Sequence, residues 1–445
     1  MSLRSRRVIY LSFISAFIIG APLILLYATG YRYQASHQRL NATGTLVVSS
    51  MPAGATISLN GQRLNNVTPR TVHALPPGLY DIILNKEGYR PWRKRLPISA
   101  GQAVFASNVR LWRESLPALI TEGKFEAIAL DRNGKQLLIS TASESGQHNI
   151  SLLTNEHLTS LATVSSETPL SLEWAPDGTR ALAYGNTKSY VISLTMSNSP
   201  KELPANLTDY RWGTNNATIF ARDERSIYQL TMDTDRIQSR IIATIGEGEK
   251  IADFWISGST IFLTIIRPAA TSMLRTVNLS DGVVRREIVL AGRAPHRRLA
   301  SDKNTVVLRD SAGLATVWNL DAATPWHLTA AADVSEATIE LTSGHILYAT
   351  SFELWTYDPT HGERELLLRL SDKVTAIKWY TNATHAFFAT SNGLSTVERD
   401  HRDRRNIWTL APVTDLVDYA ISPDGEFAYI SGVVGGRSGL WRLEF

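Results

Sequence analysis

Apolar and polar positions follow three rhythms along the chain. Residues 8–29, VIYLSFISAFIIGAPLILLYAT, carry no charge, and at 1.5 Å per residue a helix of that length reaches about 33 Å, close to the hydrocarbon thickness of a bilayer. Over 44–112 the stretches TLVVSS, ATISL, RTVHAL, LYDIIL and AVFASNVRLW are cut by MPAG, Asn60-Gly61, Pro76-Pro77-Gly78 and KEGY. Alternation between such breaks predicts about six strands and a small β-sandwich. Asn-Gly supplies two successive positive φ values for a type I′ hairpin, and Pro-Pro-Gly cannot continue a ladder.

The third rhythm fills 116–445, where strand, tight turn, strand, hairpin, strand and outer strand recur. The turns read Asp131-Arg132-Asn133-Gly134, Ala175-Pro176-Asp177-Gly178, Thr214-Asn215-Asn216, Ser257-Gly258, Ser301-Asp302-Lys303-Asn304, Thr342-Ser343-Gly344, Thr381-Asn382-Ala383 and Ser422-Pro423-Asp424-Gly425. They lie roughly 40 residues apart, the period of a four-stranded propeller blade. Trp174, Trp212, Trp255 and Trp379 stand just before four of them. Each unit except the last is followed by an outer strand, and one unassigned strand-like stretch, 116–122, precedes the first. Placing it as the outer strand of the last blade closes a ring of eight and removes two open edges. A ring of seven is the alternative, because the sixth repeat is the least regular. The predicted fold is all-β after one helix: a tail over 1–7, a transmembrane helix over 8–29, a linker over 30–43, the sandwich over 44–115 and an eight-bladed β-propeller over 116–445.

Two resemblances follow from these residues. Gly44, Leu46, Val48, Pro52-Ala53-Gly54-Ala55, Ile57, Asn60-Gly61, Thr68-Pro69, Gly78-Leu79-Tyr80 and Gly88-Tyr89 resemble the PEGA domain in order and spacing. Ala53 stands where that family has its glutamate, so no role of that carboxylate carries over. The resemblance implies a non-catalytic module of a prokaryotic cell-surface protein. Trp-Ala-Pro-Asp-Gly and Ile-Ser-Pro-Asp-Gly are similar to turns of TolB and WD40-like propellers, which implies architecture and no catalytic residue.

Charge sharpens the expected location. Residues 1–115 hold 14 basic and 3 acidic side chains, the remainder 31 and 38. Arg4, Arg6 and Arg7 precede the apolar run without an acid among them, which favours a cytoplasmic N-terminus and an extracytoplasmic bulk. A cleavable signal peptide is the rival reading, but the run exceeds the usual 7–15 residues and lacks a clear A-x-A site. Tyr27, Tyr31 and Tyr33 suit an interfacial belt. The segment Arg90, Trp92, Arg93, Lys94 and Arg95 is the candidate contact to an anionic surface; an exposed edge strand kept unpaired by charge is the bland alternative.

Reactive chemistry is sparse. The chain has no cysteine, which excludes disulfides, thiolate nucleophiles and Cys-ligated metals. It contains no H-E-x-x-H, G-x-x-x-x-G-K-[ST] or G-x-S-x-G. The glycine-rich stretch 432–439 reads as a hairpin loop. His385 and His401 fall in or beside loops and read as solvated or capping residues, and Asp233-Thr234-Asp235 and Asp400-His401-Arg402-Asp403 read as solvated turns. Quinone-dependent propeller dehydrogenases need a repeated tryptophan docking pattern and adjacent cysteines that are missing here. The expectation is therefore no enzyme, no cofactor, no metal and no nucleic-acid partner. In its place stands a membrane-anchored scaffold that binds a protein or envelope polymer on the propeller. The alternative is a polysaccharide hydrolase or lyase at the channel mouth.

Overall fold

The computed structural model describes residues 3–28, 31–34, 39–143, 146–194, 199–214, 218–232, 236–320, 325–327 and 333–445. The chain divides into two compact units, Met1–Ser115 with Asp400–Asn406, and Leu116–Arg399 with Ile407–Phe445.

In the first unit the apolar run forms the helix Leu3–Ala28. The apolar side chains described along it are exposed, Phe13 and Phe17 to 73% and Ile24 to 70%. Among the described residues no helix is long and apolar enough to cross a membrane. The transmembrane helix expected over 8–29 is thus present as a helix and not supported as a span. The expected linker over 30–43 is also different, since Tyr31–Gln34 pairs antiparallel with Arg39–Ala42.

The sandwich has seven strands in two sheets, one more than the sequence predicts. One sheet runs Arg70–Leu75, Gly44–Met51, Ala103–Arg110, the last two parallel; the other runs Gln62–Val67, Thr56–Leu59, Gly78–Asn85, Trp92–Ile98. Alternate residues of each strand face inward, so Leu46, Val48, Ile57, Ile82, Leu84, Leu96 and Trp112 form the core. Asn60 and Gly61 adopt φ 49° and 81°, the pair of positive values that a type I′ turn requires. The Pro52–Ala55 turn holds without a glutamate: the Ala55 amide donates to Thr68 Oγ1 at 2.9 Å, and that hydroxyl lies 2.6 Å from Ser50 Oγ.

Among the described residues the second unit contains eight four-stranded antiparallel sheets. Their first strands are Ala127–Leu130, Ser171–Trp174, Thr208–Trp212, Lys250–Ser257, Arg297–Ser301, Glu336–Ile339, Ala376–Trp379 and Val413–Ile421. In the last sheet the fourth strand comes from the opposite end of the unit: Ala118–Glu122 pairs with Arg437–Glu444, Leu119 opposite Trp441 and Glu122 opposite Gly439. Hydrophobic layers fill the gaps between sheets. Leu182, Val191, Tyr210, Trp212, Ile219 and Leu230 make one of them, and Phe220, Phe254, Ile261, Leu263 and Ile265 the next.

The turn marks work through side-chain oxygens. Asp131 Oδ1 accepts from the amides of Lys135 and Gln136 at 2.6 and 2.9 Å, and Asp302 Oδ1 from those of Asn304 and Thr305 at 2.8 and 2.7 Å. Each carboxylate thereby replaces a backbone acceptor at the corner. Asn215, Asn216 and the Asp233-Thr234-Asp235 turn lie outside the described residues. The stretch 432–439 is a hairpin, with Gly435 and Gly436 at φ 59° and 82°.

Candidate functional site in the propeller channel

Charges recur on the first strands of the second unit, and their sign alternates from sheet to sheet: Glu173, Arg211, Asp253, Arg298, Glu336, Lys378 and Asp418. The first strand of the first sheet departs from this, with Ala129 at the matching position. Two indoles fix that correspondence. Trp174 Nε1 donates to the Ala129 carbonyl at 2.8 Å, and Trp212 Nε1 to the Glu173 carbonyl at 3.4 Å. Trp379 Nε1 likewise reaches back one sheet, to His345 O at 3.0 Å. The recurrent tryptophans therefore tie neighbouring sheets together, whereas Trp255 stacks on Phe262 within its own sheet at 5.2 Å.

Wall carboxylates are met from a neighbouring sheet by two backbone amides and one lysine. The Arg298 amide donates to Asp253 Oδ2 at 2.9 Å, the Ile377 amide to Glu336 Oε2 at 2.9 Å, and Lys378 Nζ lies 3.3 Å from Asp418 Oδ1 and 4.7 Å from the Tyr419 ring centre. Burial pushes the Glu173 carboxyl up against the pull of Arg211 and Arg298, and no hydrogen bond enters that balance. Burial also raises Glu336, reinforced by Asp418 and opposed by the Ile377 amide and Lys378. Burial lowers Arg298, with Asp253 pulling the other way. Glu173 and Arg298, three sheets apart, act on each other's charge across the ring. Arg211 Nε and Arg298 Nε are buried without a hydrogen-bond partner, so donors remain for an incoming acceptor.

A cavity of about 660 Å³ opens at one end, lined by four sheets through Ala129, Thr338, Leu341, Trp379, Asn382 and Ser422 among others. Leu341 is 82% exposed at its rim. Its lining mixes an indole and an aliphatic side chain with hydroxyls and an amide, the composition of a binding mouth. Among the described residues no three His, Cys, Asp or Glu side chains are grouped to hold a metal.

The residues singled out for an anionic surface behave differently from one another. The strand Trp92–Ile98 alternates strictly between buried and exposed positions. Trp92 and Lys94 point inward and are 3% and 0% exposed, which corrects the reading of five surface contacts. A pleated strand cannot present consecutive residues on one face. Lys94 Nζ donates to the carbonyls of Asp400 and Arg404 at 2.5 and 3.3 Å. Arg93 grips Asp81 with two hydrogen bonds, at 2.8 and 2.7 Å, and the Arg95 amide donates to Asp403 Oδ2 at 2.8 Å. Arg90 is half-buried and its Nε lacks a hydrogen-bond partner. Asp400-His401-Arg402-Asp403 is accordingly no free turn; its carboxylates and carbonyls are partners of the basic strand. His385 stands beside the Thr381–Ala383 turn. It opens the strand His385–Thr390, buried beside Tyr380 and Trp408.

The sequence analysis missed the alternating charges because they are single residues about 40 positions apart, most of them with other polar residues in the same strand. Aligning the repeats on their tryptophans would have exposed them: Glu173, Arg211 and Lys378 each immediately precede one.

Comparison with known proteins agrees with this architecture. Residues 43–111 match the PEGA domain, and no curated protein matches the chain. Among solved structures the chain is similar to the C-terminal WD40 domain of Sif2, at 9% identity and a TM-score of 0.53, covering 74% of this chain and 99% of that one. It is also similar to Saccharomyces cerevisiae Sqt1, at 12% identity and 0.52, covering 74% and 98%, and to the Dos1 propeller, at 11% identity and 0.55, covering 73% and 93%. At such identities the likeness is one of fold. The chain joins a PEGA domain to a β-propeller.

Proposed function

We propose that this chain is a membrane-attached, extracytoplasmic interaction protein whose ring of eight blades binds a protein or an envelope polymer and carries out no catalysis. The observation that supports it most is the channel. Its charges alternate in sign from sheet to sheet, and the mouth at Leu341, Trp379 and Asn382 offers a partner both apolar and polar side chains. Loops on a rigid repeat scaffold suit recognition by shape. Attachment rests on the exposed apolar side chains of the helix Leu3–Ala28 and on Arg4, Arg6 and Arg7 before them. Photocrosslinkers at Leu341 and Asn382 in intact cells are expected to capture a partner that a propeller-deleted chain does not. Recovery of the same products from both, or degradation-resistant propeller after protease treatment of spheroplasts, counts against the reading.

A second reading, a polysaccharide hydrolase or lyase at the channel, is favoured by the raised carboxyls of Glu173 and Glu336, since perturbed carboxylates in a cleft are candidate acids. Glu173→Gln separates the two. For a binding protein, partner capture stays within about twofold; for an enzyme, turnover of an envelope polysaccharide falls by about 10²-fold or more.

A further inference from the structure

We propose that Arg93, Arg95 and Arg404 form a pocket for a phosphate-type oxyanion in the first unit. Arg93 and Arg95 are two residues apart on one strand and so emerge on the same outward face. Arg404 arrives from the segment Asp400–Asn406, about 300 positions later in sequence, which belongs to the same compact unit. Four bonds hold that segment in register with the strand. Lys94 Nζ donates to Arg404 O at 3.3 Å, the Arg95 amide to Asp403 Oδ2 at 2.8 Å, Asn406 Nδ2 to Arg93 O at 3.1 Å, and Arg402 Nη1 to Phe105 O at 2.7 Å. The three arginines and Asp403 line a cavity of about 290 Å³.

The electrostatics leave a surplus of positive charge. Asp81 engages Nε and Nη2 of Arg93, so that Nη1 is outside the fork. Asp403 lies 4.0 Å from Arg95 Nε, and Asp400 is shared between Lys94 at 3.9 Å and Arg402 at 2.8 Å. Five cations, Arg93, Lys94, Arg95, Arg402 and Arg404, thus face three carboxylates, Asp81, Asp400 and Asp403. Guanidinium groups present planar donor pairs that match tetrahedral oxyanions, and they are more weakly hydrated than ammonium groups. The volume is at the lower end for a ligand site, fitting a phosphoryl group with a small substituent and too small for a polymer segment. Such a group can be a free phosphorylated solute or a lipid headgroup.

The test uses the full chain in a non-ionic detergent, titrated calorimetrically with inorganic phosphate, and in parallel sedimented with vesicles of phosphatidylcholine with or without phosphatidylglycerol. Arg404→Gln is expected to weaken one of the two interactions at least tenfold, with Arg404→Lys intermediate and the propeller variant Arg132→Gln unchanged. Arg404 is exposed, so unfolding midpoints are expected to stay equal and serve as the folding control. Loss confined to the phosphate titration identifies a soluble phosphoryl ligand. Loss confined to phosphatidylglycerol vesicles identifies a headgroup. If Arg404→Gln equals the wild type in both arms, or the wild type binds neither probe, the pocket is not an oxyanion site. None of these outcomes depends on what the propeller binds.

Discussion

Deleting residues 116–122 is expected to make the protein associate through its last sheet more strongly than the intact chain does. The strand Ala118–Glu122 covers the edge of Arg437–Glu444, and its loss exposes a row of unpaired amides and carbonyls beside Leu440 and Trp441, which are 0% and 6% exposed in the closed sheet. An open apolar edge is a template for pairing with another chain. The fit is close: a Cβ on Gly439 would come within 2.8 Å of the Thr121 carbonyl oxygen, and Arg437 Nε donates to Glu122 Oε1 at 2.9 Å. Loss of these contacts is expected to lower stability by about 3–5 kcal/mol, comparable to truncating one large buried aromatic residue. Light scattering and thermal unfolding measure both effects. A deletion variant that associates no more than the intact chain and keeps an unchanged midpoint would show that closure contributes nothing.

The second large effect lies at Lys94. Its ammonium is fully buried and bound to two carbonyls, with Asp400 at 3.9 Å. Lys94→Met keeps the aliphatic stem but strands those carbonyls and removes a cation from Asp400. Breaking a buried charged contact from one side costs about 3–5 kcal/mol, and the first unit is expected to unfold correspondingly earlier in denaturant. Asp400 gives the loss a pH signature. Burial alone would raise its carboxyl, but hydrogen bonds from Arg402 and the charge of Lys94 outweigh burial and hold it below the ordinary range. A carboxylate depressed in the folded state stabilises above its unfolded value of about 3.9 and loses that contribution as pH falls through the folded value. Wild-type stability of this unit is therefore expected to decline below about pH 4, and more weakly so in Lys94→Met. Equal stability of the two proteins from pH 3 to 7 would refute the role given to Lys94.

Local signals in the sequence were sufficient for most of the elements and their order, one sandwich strand and the Tyr31–Gln34 pairing with Arg39–Ala42 excepted. Asn60-Gly61, the Asp-Gly corners and the tryptophans before them act over four or five residues, through φ preferences and short-range hydrogen bonds that any neighbour-blind reading can use. The closing strand was legible for a different reason, since an unpaired edge is costly and one strand was left over. The helix Leu3–Ala28 was legible as a helix, whereas its passage through a bilayer was a matter of length and apolarity that the described residues do not meet.

Other features depend on residues far apart in the chain. The basic run around Arg93 reads as a contact to an anionic surface and the mixed run around Arg402 as a solvated turn, because a sequence window cannot reveal that a loop some 300 positions on supplies carbonyls to Lys94. The alternating charges of the channel are invisible for the same reason: each is one charge among the polar residues of its own strand until the sheets are set side by side. The sequence by itself determined which segments become strands, where they turn and that a PEGA domain precedes a propeller, because those choices are made by local backbone preference and alternation. Which charges meet, which are buried and where a ligand finds donors was decided only by tertiary structure, since Coulomb interactions and desolvation follow distance in space and not separation along the chain.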